Sequence, residues 1–410
     1  MKQSQLFTHT LKESPKDEVS LNAQLLIKAG YIYKEMAGVY SFLPLGLKVL
    51  NKIEQIIREE MDAIGGVEMR TSIFQNQEVW KKSNRWDDAV VDNWFKTKLK
   101  NGTEVGLSFT NEEAYASILK QYINSYKDLP VYPYDFKSIF RNEARSKSGI
   151  FRGREFYWKA LYSFSKNKEE HDKFYEKAKH AYQNIFQRVG IGHLTYLTFA
   201  SGGTFSQFSH EFQTITEAGE DLIYVDESKN IAVNKEVYTD EVLKNLGLTK
   251  NNLKEKKAVE VGNIFSLGKK FSAPFNLKYT KEDGTDELVF MGSYGIGLGR
   301  LMGTIVEVLS DEQGIVWPKN IAPFQVHLID LRKNSDEKIY QFLQKENIEV
   351  LFDDRQLSPG SKLKDADLLG LPYRVVLSDK LGEKLELKLR DQKDISIHTK
   401  EDIINIIKNN

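Results

Sequence analysis

Two stretches of this 410-residue chain carry residue types that could handle a nucleoside triphosphate. The first is Phe140-Arg141-Asn142-Glu143, running on to Arg152-Gly153-Arg154-Glu155-Phe156; the second is Gly292-Ser293-Tyr294-Gly295-Ile296-Gly297-Leu298-Gly299-Arg300. The first reads as a strand, a basic loop and a returning strand. The second reads as a glycine-rich strand entering a helix, with an arginine at the junction. No Gly-x-x-x-x-Gly-Lys loop is present. In its place, Arg141 and Arg300 can fork onto phosphate oxygens. The Phe156 ring offers a face for a base, and the glycines permit close approach of a ligand to the backbone. Taken singly these signals are weak, because Arg141 and Glu143 read equally well as a strand-surface ion pair.

The elements that must position them follow from periodicity. From Pro44 to Ile64 apolar residues recur at helical spacing, and Gly65-Gly66 stops the helix. Residues 72–94 read as polar and aromatic loop with short helix. Phe95–Leu99 and Glu104–Phe109, around Asn101-Gly102, read as a hairpin. Asn167 and Glu170 resemble a capping box that opens a helix buried through Phe174, Ala178, Ala181, Ile185 and Phe186 and closed by Gly190. Strands follow at 194–199, 210–214, 222–225 and 288–291. The expected fold is therefore an α+β domain, an antiparallel sheet flanked by helices. Residues 235–257, rich in Lys, Asn and Glu, read as a short surface insertion. Trp317–Pro323, with two prolines, reads as a linker. Beyond it, alternating strands and helices predict a separate α/β domain. The expected division is 1–318 and 319–410.

Bulk properties narrow the class. Lys+Arg and Asp+Glu balance at 58 each, so any nucleic-acid contact must use local patches. Zero cysteines exclude disulfides, thiolate metal sites and thiol nucleophiles. The first residues lack an apolar signal core and no long apolar run is present, so a cytoplasmic location is expected.

The order of these motifs is informative as a set. Gly38-Val39-Tyr40-Ser41-Phe42-Leu43-Pro44-Leu45-Gly46-Leu47 precedes the Arg141 stretch, and the glycine strand ending in Arg300 comes last. Between and beyond them lie Phe109-Thr110-Asn111-Glu112-Glu113, Ser209-His210-Glu211-Phe212-Gln213, Glu260–Phe265 and Gly314–Pro318. Asp353-Asp354-Arg355, Pro359–Lys362 and Gly370-Leu371-Pro372 complete the series. In this combination the chain resembles the class II aminoacyl-tRNA synthetases over nearly its full length, with wording similar to the bacterial-type prolyl-tRNA synthetases. Three departures stand out. Only about residues 235–257 occupy the place of the large editing insertion; Ala160 stands where an aspartate is usual after the lysine; and Asn263 stands where a histidine is usual.

The resemblance implies a class II catalytic domain followed by an anticodon-binding domain. It implies ATP and Mg2+ as cofactors, L-proline and tRNA(Pro) as substrates, and a homodimer formed through the first motif. It also implies no editing in cis, which leaves room for a separate trans-editing protein. Arg141 would bridge the α-phosphate and the amino-acid carboxylate, Arg300 would hold the γ-phosphate, and Phe156 would lie under adenine. Glu143 would accept from the adenine amino group or orient Arg141. Arg152 would touch phosphate or pair with Glu155, and Gln213 and Gly295 would complete the ATP site. Glu112, with Thr110 beside it, would accept the substrate ammonium. Trp158, His210, Phe212 and Ser293 would form the wall; for Trp158 and Phe212 ordinary core packing is the competing reading, and for His210 a structural role. Glu211 is the candidate Mg2+ ligand. Asp354, Arg355 and Lys362 would contact the anticodon, or simply form a solvated loop. Other readings are a sister synthetase for threonine, histidine or glycine, and a non-catalytic tRNA-binding relative. The absence of a Cys/His zinc set and the retention of both arginines speak against them.

Overall fold

The computed structural model describes all residues except Asp17, 145–147, 203–207 and Asn410. By internal contacts the chain forms two units. One comprises Met36–Val39 and Glu54–Thr304; the other comprises Met1–Glu35, Tyr40–Ile53 and Ile305–Asn410.

The larger unit is built on a nine-stranded sheet. Its strands are β1 (Val67–Glu68), β2 (Pro133–Phe140), β3 (Glu155–Ser165), β4 (Thr195–Ser201), β5 (Phe208–Ile215), β6 (Asp221–Asp226), β7 (Ile231–Asn234), β8 (Lys254–Gly268) and β9 (Phe290–Gly297). The order is β5-β4-β7-β6-β8-β9-β3-β2-β1, and β5 pairs again with the long strand β8. Antiparallel pairing dominates; β1–β2 and β4–β7 are parallel. This is the expected architecture, with β2 and β3 joined by the basic loop. The helix predicted from Pro44 is α1 (Pro44–Ala63), and the short helix α2 (Glu112–Leu119) follows the Thr110 loop. The helix opened by Asn167, whose side chain accepts from the Glu170 amide, is α3 (Lys168–Arg188). The glycine strand runs into α4 (Leu298–Leu309).

Strand alternation decides what faces what. On β3 Phe156, Trp158 and Tyr162 line a hollow. Lys159 points the other way and is fully buried, donating to the Tyr182 hydroxyl (2.7 Å) and the Tyr294 carbonyl (3.1 Å).

Two expectations change here. Residues 254–257 are not insertion but the start of β8. The remainder of the insertion holds a helix at Asp240–Asn245, and Val242, Leu243 and Leu248 form a small apolar cluster with Val233. The strand expected at 288–291 is two pieces: Asp286–Leu288 hairpins with Lys278–Thr280, and β9 begins at Phe290.

The second unit carries a five-stranded sheet of β10 (Val326–Asp330), β11 (Val350–Asp353), β12 (Tyr373–Leu377), β13 (Leu385–Leu389) and β14 (Ile395–His398), ordered β11-β10-β12-β13-β14. Strands β11, β10 and β12 are parallel, and α5 (Lys338–Lys345), α6 (Pro359–Leu369) and α7 (Lys400–Asn409) accompany them. The α/β texture expected after residue 319 is present, but the unit is larger than the sequence suggests. Lys2 bridges in parallel to Phe352, Gln3 bonds His327 (2.9 Å), and Asn22 donates to Glu307 (3.0 Å). Trp317, expected in a linker, is buried and donates to the Tyr31 hydroxyl (2.9 Å). The early segments complete this unit because they satisfy an open sheet edge and buried polar groups.

Candidate active site

The hollow on the sheet of the larger unit holds about 280 Å³ and adjoins a second of about 240 Å³. Arg141, Phe156, Trp158, Glu260 and Arg300 line both. Arg141 directly follows the last residue of β2, and its guanidinium carbon lies 5.1 Å from the Phe109 ring centre and 5.5 Å from that of Phe156. Its Nε is buried with no hydrogen-bond partner among the described residues. Burial, and then the nearby charge of Arg300, holds its pKa below the ordinary arginine value. An unpaired buried cation is costly, so this site is set to receive an anion.

Arg300, on the first turn of α4, is fixed differently. Its Nε donates to the Phe151 carbonyl (2.8 Å) and its Nη1 to the Glu260 carbonyl (3.0 Å). The Glu260 carboxylate lies 3.5 Å from Nη1 and accepts from Asn263 Nδ2 (2.7 Å). Asn263 therefore serves as a neutral brace.

The opposite end of the hollow is acidic and aromatic. Glu112 is buried at the start of α2. It accepts from Thr110 Oγ1 (2.6 Å), the Tyr162 hydroxyl (3.2 Å) and Arg85 Nη1 (3.4 Å). Arg85 also reaches Glu113 (2.9 Å) and packs against the Trp80 and Phe271 rings. Burial pushes the Glu113 carboxyl up to about 7 against the pull of Arg85. Trp158, Phe265, Leu267 and Ser293 complete the wall. A Cβ on Gly295 would overlap the Trp158 ring, so that glycine shapes the wall without lining it.

Seven of the expected residues thus converge: Thr110, Glu112, Arg141, Phe156, Trp158, Ser293 and Arg300. Glu143 and Arg152 line the adjoining hollow, and Arg152 pairs with Glu220 (3.1 Å) rather than with Glu155.

Other expectations need correction. Phe212 is buried against the Tyr182 and Phe186 rings of α3, and His210 Nδ1 sits 3.0 Å from the Tyr175 hydroxyl on the same helix. Alternation along β5 puts both on the helix face, so neither joins the wall. Burial draws His210 down to about 4, which keeps it neutral. Gln213 faces the other way, but it is fully buried and donates to Glu211 (2.9 Å) and Asp221 (2.7 Å) instead of lining the hollow.

Glu211 itself is pushed up to about 8 by burial and then by the charges of Glu260 and Asp221. Crowded carboxylates with only oxygen donors suit a hard divalent cation. Among the described residues no group of three or more His, Cys, Asp or Glu side chains is arranged to hold a metal by itself, so any ion there would need oxygens from a second molecule.

In the second unit the expected anticodon residues do gather at the ends of β10 and β11. Lys362, however, is buried and donates to the Asp330 (2.9 Å) and Asp353 (3.0 Å) carbonyls. Arg355 forks onto Asp353 (2.8 Å to each oxygen) and reaches Asp365 (2.9 Å). Asp354 accepts from the Ser4 amide (2.9 Å) and hydroxyl (2.6 Å). Lys362 is a strut and not a surface charge, because parallel strand ends leave carbonyls that need donors.

Sequence reasoning missed Arg85 and Tyr162, and it gave no site role to Phe109 and Glu260 although both stand in motifs it singled out. Arg85 falls in the segment read as loop, and only its proximity to Glu112-Glu113 in space marks it.

Among the described residues no helix is long and apolar enough to cross a membrane. Residues 95–309 match the class II tRNA synthetase core domain for Gly, His, Pro, Ser and Thr, and residues 325–410 match an anticodon-binding domain. A proline–tRNA ligase of Bartonella quintana is 34% identical, with 96% of each chain covered. One of Anaplasma phagocytophilum is 35% identical over 99% of this chain and 100% of its own. The prolyl-tRNA synthetase of Cryptosporidium parvum, solved with L-proline and AMP, superposes with a TM-score of 0.78 at 17% identity. That superposition covers 98% of this chain and 76% of the other.

Proposed function

The chain belongs to the proline–tRNA ligase family of class II tRNA synthetases, and we propose how its own residues carry out that reaction. It activates L-proline with ATP and transfers the prolyl group to tRNA. In the first step a carboxylate oxygen of proline attacks the α-phosphorus. A new O–P bond forms, the bond to the bridging oxygen breaks, and pyrophosphate leaves with the electron pair. The carboxylate is already ionised at neutral pH, so no general base is needed. Catalysis then rests on positioning and charge neutralisation.

Arg141 bridges the α-phosphate and the carboxylate, Arg300 binds the γ-phosphate, and adenine stacks on Phe156. Glu143 and Arg152 flank the nucleotide in the adjoining hollow, with Gly295 admitting the Trp158 ring. Glu112, oriented by Thr110, Tyr162 and Arg85, accepts the secondary ammonium, while Trp158 and Ser293 enclose the ring. Mg2+, when bound, offsets triphosphate charge; Glu211 and Glu260 are the residues that would hold it. In the second step a ribose hydroxyl of the terminal adenosine of tRNA(Pro) attacks the prolyl carbonyl carbon. The new ester C–O bond forms, the bond to the adenylate phosphate oxygen breaks, the hydroxyl proton passes to that phosphate, and AMP leaves. The ends of β10 and β11 then face the anticodon through Arg355 and Asp354. The exposed Tyr33 and Leu47 support a homodimer through the first-motif region. The protein works in the cytoplasm. Its short insertion leaves mischarged alanyl-tRNA to a separate trans-editing protein.

The observation that carries this reading is the Arg141 guanidinium between two rings, its buried Nε without a hydrogen-bond partner among the described residues, in one hollow with Arg300 and Glu112. Pyrophosphate exchange with each of the twenty amino acids tests it. Proline should give a strong signal and alanine a weak one, since one methylene is worth about 1–3 kcal/mol. Neither should survive Arg141→Ala. Preference for threonine or histidine would overturn the assignment.

A further inference from the structure

Behind the loop that carries Glu112 lies a buried carboxylate that the reaction above does not use. Asp135 on β2 is fully buried and registers directly against Ala160 on β3. Its Oδ2 accepts from the Thr71 amide (3.3 Å) and hydroxyl (2.5 Å), and its Oδ1 accepts from Asn111 Nδ2 (3.4 Å). Lys137, also buried, lies 4.0 Å from Oδ2 and donates to Thr71 Oγ1 (2.6 Å). Asn111 stands between Thr110 and Glu112, and its carbonyl accepts the first helical bond of α2, from the Tyr115 amide (3.0 Å). The charge of Asp135 is thus tied to the residue that starts the helix on which Glu112 sits.

The facing position matters as much. Side chains directly opposite in an antiparallel pair lie close enough that two like charges destabilise the pairing. Ala160 is buried, in an apolar cluster with Tyr115 and Tyr162, and its methyl group leaves the Asp135 charge unopposed.

We propose that Asp135 is a positioning residue for proline binding: through Asn111 it fixes the Glu112 carboxylate, and it does so because residue 160 carries no charge. The inference rests on the assignment of Glu112 to the substrate amine. A carboxylate on either strand of this pair, but not on both, should hold the loop.

The test uses Asp135→Asn, Ala160→Asp and their combination in the full chain, with Glu112→Gln as reference. Proline and ATP KM, kcat for pyrophosphate exchange and Tm are measured for each. Asp135→Asn is close to isosteric but loses one accepting oxygen. It should raise the proline KM about tenfold with the ATP KM within twofold and kcat little changed. Ala160→Asp alone should lower Tm and weaken proline binding. The double variant should return the proline KM to within about threefold of the parent. An unchanged proline KM in Asp135→Asn, an equal rise in both KM values, or a folded double variant without recovery would overturn the proposal. Should Glu112→Gln leave the proline KM unchanged, the assignment of Glu112 falls and the proposal with it. A strong effect of Glu112→Gln beside a silent Asp135→Asn sinks only the proposal.

Discussion

Gly295 and Trp158 lie on adjacent strands so closely that a Cβ on the glycine would overlap indole Cζ2 and come within 2.9 Å of Asn263 Oδ1. The indole lines the hollow and cannot retreat into a close-packed interior. Gly295→Ala should therefore push Trp158 into the hollow. The expected result is a rise of at least tenfold in the proline KM with the ATP KM much less affected, measured by pyrophosphate exchange. A variant with normal proline KM would show that the indole has room to move.

Arg141 illustrates a conflict between stability and activity. Its guanidinium is buried beside Arg300 with no ion-pair partner among the described residues, and its pKa is held down by burial and by Arg300. Such a group is costly to keep folded and is retained for what it does. Arg141→Met should leave Tm unchanged or higher while lowering exchange by at least about 10²-fold, the scale of losing one transition-state donor. Thermal unfolding and exchange on the same preparations check this; a large drop in Tm would contradict it.

The residues that converge on the hollow were legible where local spacing carried them. Arg141 and Phe156 flank one loop between paired strands, and Arg300 sits where a glycine strand enters a helix, so pattern alone located them. What pattern does not supply is the face of a strand whose two sides are both buried. His210 and Phe212 on β5 alternate with Glu211 and Gln213, and only the packing of α3 reveals which pair it covers. Long-range partners were equally hidden. Arg85 meets Glu112 and Glu113 from a segment without clear periodicity, and Lys2 joins the edge of β11 across most of the chain.

A dependence on pH follows from Glu211. Its carboxyl is raised to about 8 by burial and by Glu260 and Asp221, so it is largely protonated at neutral pH. A divalent cation needs the ionised form and must displace that proton. The apparent Mg2+ affinity in the exchange reaction should strengthen as pH rises from 6.5 to about 8.5 and then level off. Glu211→Gln should weaken Mg2+ dependence and flatten the pH profile. A wild-type Mg2+ requirement independent of pH would remove Glu211 from the ion site.

Lys362 separates a structural role from an RNA contact. Its ammonium bonds two carbonyls at the ends of β10 and β11. Replacing it leaves those acceptors without a donor, at about 1–3 kcal/mol each. Lys362→Met should lower Tm by several degrees, whereas Lys364→Met on the same helix should not. Proline-dependent exchange needs no tRNA and should be unchanged in either. A Lys362→Met protein with parental Tm and selectively weakened tRNA binding would restore this residue to the RNA surface.

Lys159 gives a stability prediction with a definite sign. Burial holds its pKa well below the ordinary lysine value, and among the described residues its ammonium nitrogen bonds Tyr182, the Tyr294 carbonyl and Met61. With the folded-state pKa depressed, the unfolded chain binds more protons at neutral pH. Stability from this group is then complete only above the unfolded pKa, about 10.4, and is lost as pH falls toward the folded value. Lys159→Met removes that proton linkage while filling similar volume. The Tm of the variant relative to the parent should be most favourable near pH 7 and should decline as pH rises to 9.5, where the parent recovers. Parallel Tm profiles across that range would mean that Lys159 keeps its proton inside the fold and that the Tyr182 and Tyr294 oxygens alone compensate the charge.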